Sequence, residues 1–383
     1  MGIEKLIDQT KTFYCFQDCK ICKKVCPLSG ANPLFSHHSN MEKCLPEIEE
    51  DLLQGSDIWS CFTCGRCSIG CPTMVDYLGF IRGLREEARN RKIAEIQPIP
   101  SHGGILNEIM ELQTLPRSQK RLSWVTDNLK TSEQGEVYYF VGCSPFFNII
   151  YRHLGVDSLA TTRDAIRLLN NMGITPVVSN AERCCGHDLF WVGDTTNFLK
   201  LAEANLTTIA KSGAKKVIFT CPEGYYAFKE TYPKYFGKLG FEPIHILEFL
   251  MPYIEEEKIT FRPLGTKVTY QDPCRLGRFM EIYEEPRIVL EGVPGLELIE
   301  MERIREYSIC CGSSNWMNCG KHTKIVQKDR LMEAIRTGAD TLVTACPKCQ
   351  IHFNCALRDL KEENPSISLN ITDIYNLISQ VLI

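Results

Sequence analysis

The sequence predicts a multidomain α+β protein, with a helical, cysteine-rich N-terminal domain followed by two tandem α/β domains. Three observations carry this. Eight of the 20 cysteines fall into two dense clusters that end at Pro27 and Pro72. From Glu136 onward, apolar strand-like runs alternate with helical stretches, the pattern of an α/β layer. That second region also repeats itself at an offset of about 125 residues.

Residues 1–110 form the N-terminal domain. Cys15, Cys19, Cys22 and Cys26 make the first cluster, and Cys61, Cys64, Cys67 and Cys71 make the second. The acidic amphipathic stretch Met41–Leu53 between them predicts helix in the gap, and Tyr77–Ile96, rich in Arg, Glu, Leu and Ala, predicts another. Gln97–Gly104 (QPIPSHGG) breaks that helix, and residues 111–135 read as a polar connection. The α/β domains span 136–260 and 261–383. Strands are expected at Val137–Val141, Val217–Thr220, Lys267–Tyr270 and Thr341–Thr344. Helices are expected at Thr161–Met172, Thr196–Ser212, Pro286–Leu290 and Lys324–Thr337.

The duplication is explicit. SGAKKVIFTCPEGYYAF from Ser212 aligns with TGADTLVTACPKCQIHF from Thr337, matching Gly213, Ala214, Cys221, Pro222 and Phe228 to Gly338, Ala339, Cys346, Pro347 and Phe353. Cys184–Cys185–Gly186 and Cys310–Cys311–Gly312 keep this register, with Cys143 and Cys274 upstream.

Composition narrows the chemistry. Of 383 residues, 44% are hydrophobic and 23% charged, which argues against disorder and fibrous repeats. A net charge of −4 gives no basic field for a nucleic-acid backbone. The most apolar stretch, Val137–Tyr151, contains Pro145 and Asn148 and is shorter than the roughly 20 residues a transmembrane helix needs. The N-terminus lacks a secretory apolar core, so a cytoplasmic protein is expected, peripheral to the inner face of a membrane at most through a partner. Twenty cysteines in such a chain point to metal rather than to disulfides.

The first cluster reads C-x3-C-x2-C-x3-C-P and the second C-x2-C-x2-C-x3-C-P. The second matches the bacterial pattern for a cubane [4Fe–4S] cluster, in which three close cysteines wrap one cluster and the fourth ligates its neighbour. This assigns Cys15, Cys19, Cys22 and Cys71 to one cubane, and Cys61, Cys64, Cys67 and Cys26 to the other, in a ferredoxin-like arrangement. The extra residue between Cys15 and Cys19 departs from the pattern. Copy two of the repeat offers Cys274, Cys310, Cys311, Cys346 and Cys349, five thiolates, more than tetrahedral zinc or one ordinary cubane takes. Copy one offers Cys143, Cys184, Cys185 and Cys221, with Gly224 in the place of Cys349. Four thiolates suit zinc, a further cluster or a degenerate structural site.

These motifs together resemble the CCG-domain iron–sulfur oxidoreductases, and in particular the D-type polypeptide of heterodisulfide reductase, which is equivalent to the C and B polypeptides fused. The iron–sulfur component of anaerobic glycerol-3-phosphate dehydrogenase is similar. DPCRLGRFMEIYEEPR (Asp272–Arg287), ICCGSSNWMNC (Ile309–Cys319) and TACPKCQIHF (Thr344–Phe353) carry the resemblance most closely. It implies that Cys274, Cys310, Cys311, Cys346 and Cys349 form the catalytic set, holding one noncubane [4Fe–4S] cluster that reduces a disulfide or oxidises thiols. Electrons would come through the two cubanes from a flavin- or iron–sulfur-containing donor subunit. No dinucleotide fingerprint follows a strand, so any flavin lies on a partner. Gly224 and the polar run Ser313–Cys319 depart from the family pattern. The alternative is a non-catalytic electron-transfer subunit between a flavin dehydrogenase and a membrane cytochrome or quinone-reactive partner.

Several residues admit two readings. Cys44 reads as a buried thiol; Cys319 and Cys355 flank copy-two positions and suit either packing or a supporting redox role. His187 and His352 suit packing, second-layer hydrogen bonding or proton donation. Lys348 and Arg275 suit either surface charge or attraction to an anionic cluster.

Overall fold

The computed structural model describes residues 3–15, 19–42, 49–55, 57–93 and 101–383. Cys44 and part of the Met41–Leu53 stretch lie outside the described residues. The chain mixes helices with two parallel sheets and divides into two compact units. The first comprises Met1–Leu112, Gly186–Leu199 and Ile309–Arg330; the second comprises Gln113–Cys185, Lys200–Ser308 and Leu331–Ile383.

The first unit is helical. Ile3–Thr10 packs on Tyr77–Asn90, which buries Phe80, Ile81 and Leu84 on one face. Asp76 caps the longer helix by accepting from Gly79 N–H at 2.8 Å. Pro27 opens the short helix Pro27–Ala31, where its missing N–H costs nothing.

Among the described residues, the strands lie in the second unit. In copy one, β1 (Val137–Phe140), β2 (Lys216–Phe219) and β3 (Glu242–His245) pair in parallel in that order. In copy two, β4 (Thr266–Gln271), β5 (Leu296–Leu298), β6 (Thr341–Thr344) and β7 (Asn370–Asp373) form a parallel sheet in the order β5-β4-β6-β7. Parallel strands inside a sheet read as continuous apolar runs, and the last three residues of Val-Tyr-Tyr-Phe and of Lys-Val-Ile-Phe are buried. The two copies pack helix on helix. Ser158–Asn171 of copy one packs on Ile374–Ser379 of copy two, while Ile246–Glu255 of copy one packs on Glu284–Glu291 of copy two. Asn376 donates to Asp164 at 2.7 Å and accepts from Thr161 at 3.1 Å across the first of these contacts. Among the described residues no helix is long and apolar enough to cross a membrane.

Candidate functional site

In the first unit, Thr63 and Gly65 adopt left-handed backbone (φ 50° and 78°), so the Cys61–Cys67 loop curls around one point. Thr63 N–H points at Cys61 Sγ (3.4 Å), and Asn315 fixes the Thr63 hydroxyl at 2.9 Å. Cys26 joins this loop: with Cys61, Cys64 and Cys67 it lines a small cavity, walled by Leu28, Phe35 and Leu78. Burial pushes the Cys26 thiol up to about 12, and repulsion from Cys64 and Cys61 adds to it. Burial likewise drives Cys67 well above the usual thiol range, with Cys61, Cys64 and Cys26 as its charged neighbours. Deprotonating four thiols in this apolar cavity needs a cation among them, and soft thiolates suit iron.

The other N-terminal cysteines lie closer to solvent. Cys22 has Cys19 and Cys71 as neighbours, and burial raises its thiol. Burial also raises Cys71, but the Thr73 hydroxyl and the N–H groups of Val75, Thr73 and Met74 outweigh it and leave that thiol below the usual range. Cys15, Cys19, Cys22 and Cys71 are half-buried, whereas Cys61, Cys64 and Cys67 are at most 8% exposed. Phe13, Tyr14, Ile21, Ile69 and Met74 stand exposed along the same segments, together with Lys20, Lys23 and Lys24.

Copy one gathers its four cysteines. Cys143 Sγ and Cys184 Sγ are 3.0 Å apart, and the Cys185 thiol is pushed well up by hydrogen bonding to Cys184, burial and the charges of Cys184, Cys143 and Cys221. A buried carboxylate sets this geometry. Glu182 accepts from Val141 and Gly142 N–H (3.1 and 2.8 Å), from Arg121 (3.1 Å) and from the Tyr138 hydroxyl (3.2 Å). It therefore ties the turn before Cys143 to the loop before Cys184. Burial raises Glu182 to about 7, against the opposing pull of Arg121 and the N–H donors. Gly224 packs against the Phe219 and Phe140 rings; an added Cβ would sit 3.3 Å from Phe219. Aromatic carbon therefore fills the region where a fifth thiol of copy one would start.

For copy two, Cys274, Cys346 and Cys349 belong to the second unit and Cys310 and Cys311 to the first. Cys346 and Cys349 are buried and Cys274 is half-buried. Asp272, two residues before Cys274, is held by Arg287 at 2.8 and 3.0 Å and accepts from Arg305 N–H at 2.8 Å. Arg287 also reaches Glu300 at 2.6 Å. The glycines after the paired cysteines, Gly186 and Gly312, both take left-handed φ (75° and 74°), a conformation that an L side chain rarely accepts. Gly312 N–H points back at Cys310 Sγ (3.4 Å).

Within the second unit the copies also meet. Lys348, after Cys346–Pro347, forms a buried ion pair at 2.5 Å with Glu223, after Cys221–Pro222. Cys346 is also the strongest charged neighbour raising the Cys221 thiol, after burial itself. The Arg275 guanidinium lies 4.1 Å over Phe279 and 5.5 Å from the Tyr226 ring of copy one. Arg275 and Lys348 are thus buried side chains rather than surface charges, as are His187 and His352. Glu182, Arg121, Asp272 and Glu223 escape sequence reading; only the recurrence of an acidic residue two positions before Cys184 and Cys274 hinted at the first and third.

A tandem α/β repeat carrying buried cysteines, together with a helical, cysteine-lined unit, defines an iron–sulfur redox protein. The cysteine-rich CCG domain family matches residues 137–229 and 268–354. The D polypeptide of the dihydromethanophenazine:CoB–CoM heterodisulfide reductase of Methanosarcina barkeri is 30% identical over 334 residues, covering 85% of this chain and 78% of that one. Its counterpart in Methanosarcina acetivorans is 31% identical, with the same coverage of both chains. EtfAB:quinone oxidoreductase of Syntrophomonas wolfei is 29% identical, covering 78% of this chain and 43% of that protein. The chain belongs to the CCG-domain iron–sulfur oxidoreductases, of the type represented by the D polypeptide of heterodisulfide reductase.

Proposed function

We propose that the chain is the redox component at which a disulfide is reduced, or its thiols oxidised, in the manner of heterodisulfide reductase. Cys15, Cys19, Cys22 and Cys71 would hold one ferredoxin-like cubane, and Cys26, Cys61, Cys64 and Cys67 the other. Cys274, Cys310, Cys311, Cys346 and Cys349 would hold a noncubane [4Fe–4S] cluster. When bound, these clusters supply one-electron transfer and a Lewis-acidic iron for sulfur. The observation that carries the reading is the shared cavity: Cys26 of the first motif lines it with three cysteines of the second. That grouping supports the ligand exchange expected of paired cubanes.

The chain's own residues have separable tasks. The half-buried N-terminal set accepts electrons from a partner, and the buried set passes them inward. Asp272 and Arg287 hold the loop that presents Cys274, while Lys348 brings positive charge to the Cys346 turn. Anaerobic iron and labile-sulfide counting tests the assignment: two cubanes and one noncubane cluster give about twelve irons per chain. A value near sixteen would place a further cluster on Cys143, Cys184, Cys185 and Cys221, and bound zinc would give those residues a structural metal instead.

Gly224, packed by Phe219 and Phe140, favours a second reading in which the chain only conducts electrons from a flavin dehydrogenase toward a membrane quinone-reactive partner. Turnover of a small disulfide with reduced viologen supports the first reading. Reduction of the clusters without turnover supports the second.

A further inference from the structure

The helix Tyr77–Asn90 carries arginines at 82, 85 and 89. Arg82 pairs with Glu86 at 3.2 Å, and Arg89, half-buried, donates to the Val192 carbonyl at 2.9 Å. Arg85 is different. It is 0% exposed, and its three nitrogens donate to the carbonyls of Ile58 (2.7 Å), Trp191 (2.9 Å) and Cys61 (2.8 Å). Its guanidinium lies 5.9 Å from the Trp59 ring. Among the described residues no carboxylate pairs with it.

A guanidinium keeps its proton in proteins, and a buried charge is tolerated only with compensation. Three carbonyls supply hydrogen bonds but no net negative charge. The surrounding anionic chemistry is the cysteine set itself: after burial, Cys61 is the main charged group acting on Arg85, and it acts to hold the proton. The arrangement is also built. Gly193 takes φ 82° so that the turn after Trp191 can lie against the backbone of Glu86; any Cβ there would stand 2.4 Å from Glu86 N.

We propose that Arg85 is the fixed counter-cation of the cluster held by Cys26, Cys61, Cys64 and Cys67, and that it raises that cluster's reduction potential. The inference rests on the proposed assignment of these four cysteines. Adding an electron makes a thiolate-ligated cluster more negative, and a fixed positive charge in a dry interior stabilises that state. Arg85 binds the Cys61 carbonyl and is therefore a tuning residue, acting through charge and loop position.

Redox titration of the iron-loaded full chain, followed by electron paramagnetic resonance, tests this with Arg85→Gln and Arg85→Lys. Gln keeps a side-chain amide donor and removes the charge. It should lower one cubane midpoint by about tenfold in the reduction equilibrium, about 59 mV for one electron, and leave the other in place. Lys keeps the charge and should stay within about threefold of the wild type, about 28 mV on the same scale. Unmoved midpoints in folded, iron-replete Arg85→Gln overturn the proposal, as do equal shifts in both variants. Failure of both variants to fold with iron also overturns it, leaving Arg85 a scaffold residue. Iron counting on the wild-type sample separates the two levels: missing cubane iron there refutes the cysteine assignment itself, whereas full iron with unmoved midpoints refutes only the role of Arg85.

Discussion

Removing the Lys348 ammonium breaks a buried ion pair with Glu223. Lys348 and Glu223 are 3% and 9% exposed and 2.5 Å apart. Deleting one partner of such a pair costs about 3–5 kcal/mol, whereas replacing both by neutral groups of similar volume is often neutral. For a unit of 150–250 residues, about 2–4 °C of melting temperature accompanies each kcal/mol. Lys348→Met should therefore lower the melting temperature of the second unit by about 6–20 °C. The double variant Glu223→Gln/Lys348→Met should recover most of that loss. Because Lys348 also follows Cys346 closely, the single variants should be unequal in iron-loaded protein: Lys348→Met removes a cation near an anionic cluster, while Glu223→Gln removes an anion. Differential scanning calorimetry under anaerobic conditions, with and without iron, reads both comparisons. A double variant whose loss equals the sum of the singles would refute the coupling. Equal losses for the two singles in loaded protein would refute the attraction to a cluster.

Cys349→Gly makes the two copies alike in thiolate number; loss of the noncubane paramagnetic signal with survival of the cubane signals is expected, and unchanged spectra would show the fifth thiolate to be dispensable. Asp373 is buried at the start of Ile374–Ser379, and burial raises its carboxyl from 3.8 to about 8. The folded state therefore binds the proton more tightly than the unfolded one, so this contribution is complete below about pH 3.8 and is lost as pH rises toward 8. Melting temperatures of Asp373→Asn should fall less than those of the wild type between pH 5 and 8, and parallel curves would contradict this. Reversing Lys23 and Lys24 to Glu should slow reduction by an acidic ferredoxin about tenfold at low salt and little at high salt, because exposed charges are screened over about 10 Å at 0.1 M; stopped-flow rates that ignore both the substitutions and the salt would count against electrons arriving at the half-buried cysteines.

Strands β1, β2, β4 and β6 were legible because each contains a buried run of apolar or β-branched residues. Strands β3, β5 and β7 were not, since Glu-Pro-Ile-His, Leu-Glu-Leu and Asn-Ile-Thr-Asp are short and interrupted by polar residues. Cysteine spacing announced the candidate ligands, because covalent chemistry leaves a local pattern. The residues that hold those cysteines left none. Arg121 and Glu182, or Arg85 and Trp191, are brought together by tertiary folding from positions 61 and 106 residues apart. The tandem copies were plain as a repeat, yet the helix contacts between them were not, since tertiary folding sets which helices of the two copies meet.

The discontinuity of the first unit has a consequence for biosynthesis. Its cysteine loop leans on Trp191 through Arg85 and on Asn315 through Thr63. Both supports emerge long after Cys71 has been translated. At about 5–20 residues per second, the roughly 260 residues from Cys71 to Arg330 take about 13–52 s to make. For that interval a nascent chain exposes eight closely spaced thiols without the groups that orient them. Under the proposed cluster assignment, iron loading of the inner site is a late event, and the thiols must be kept reduced until the chain is nearly finished. Oxygen reaching the ribosome in that window would damage this protein more than oxygen reaching the completed fold.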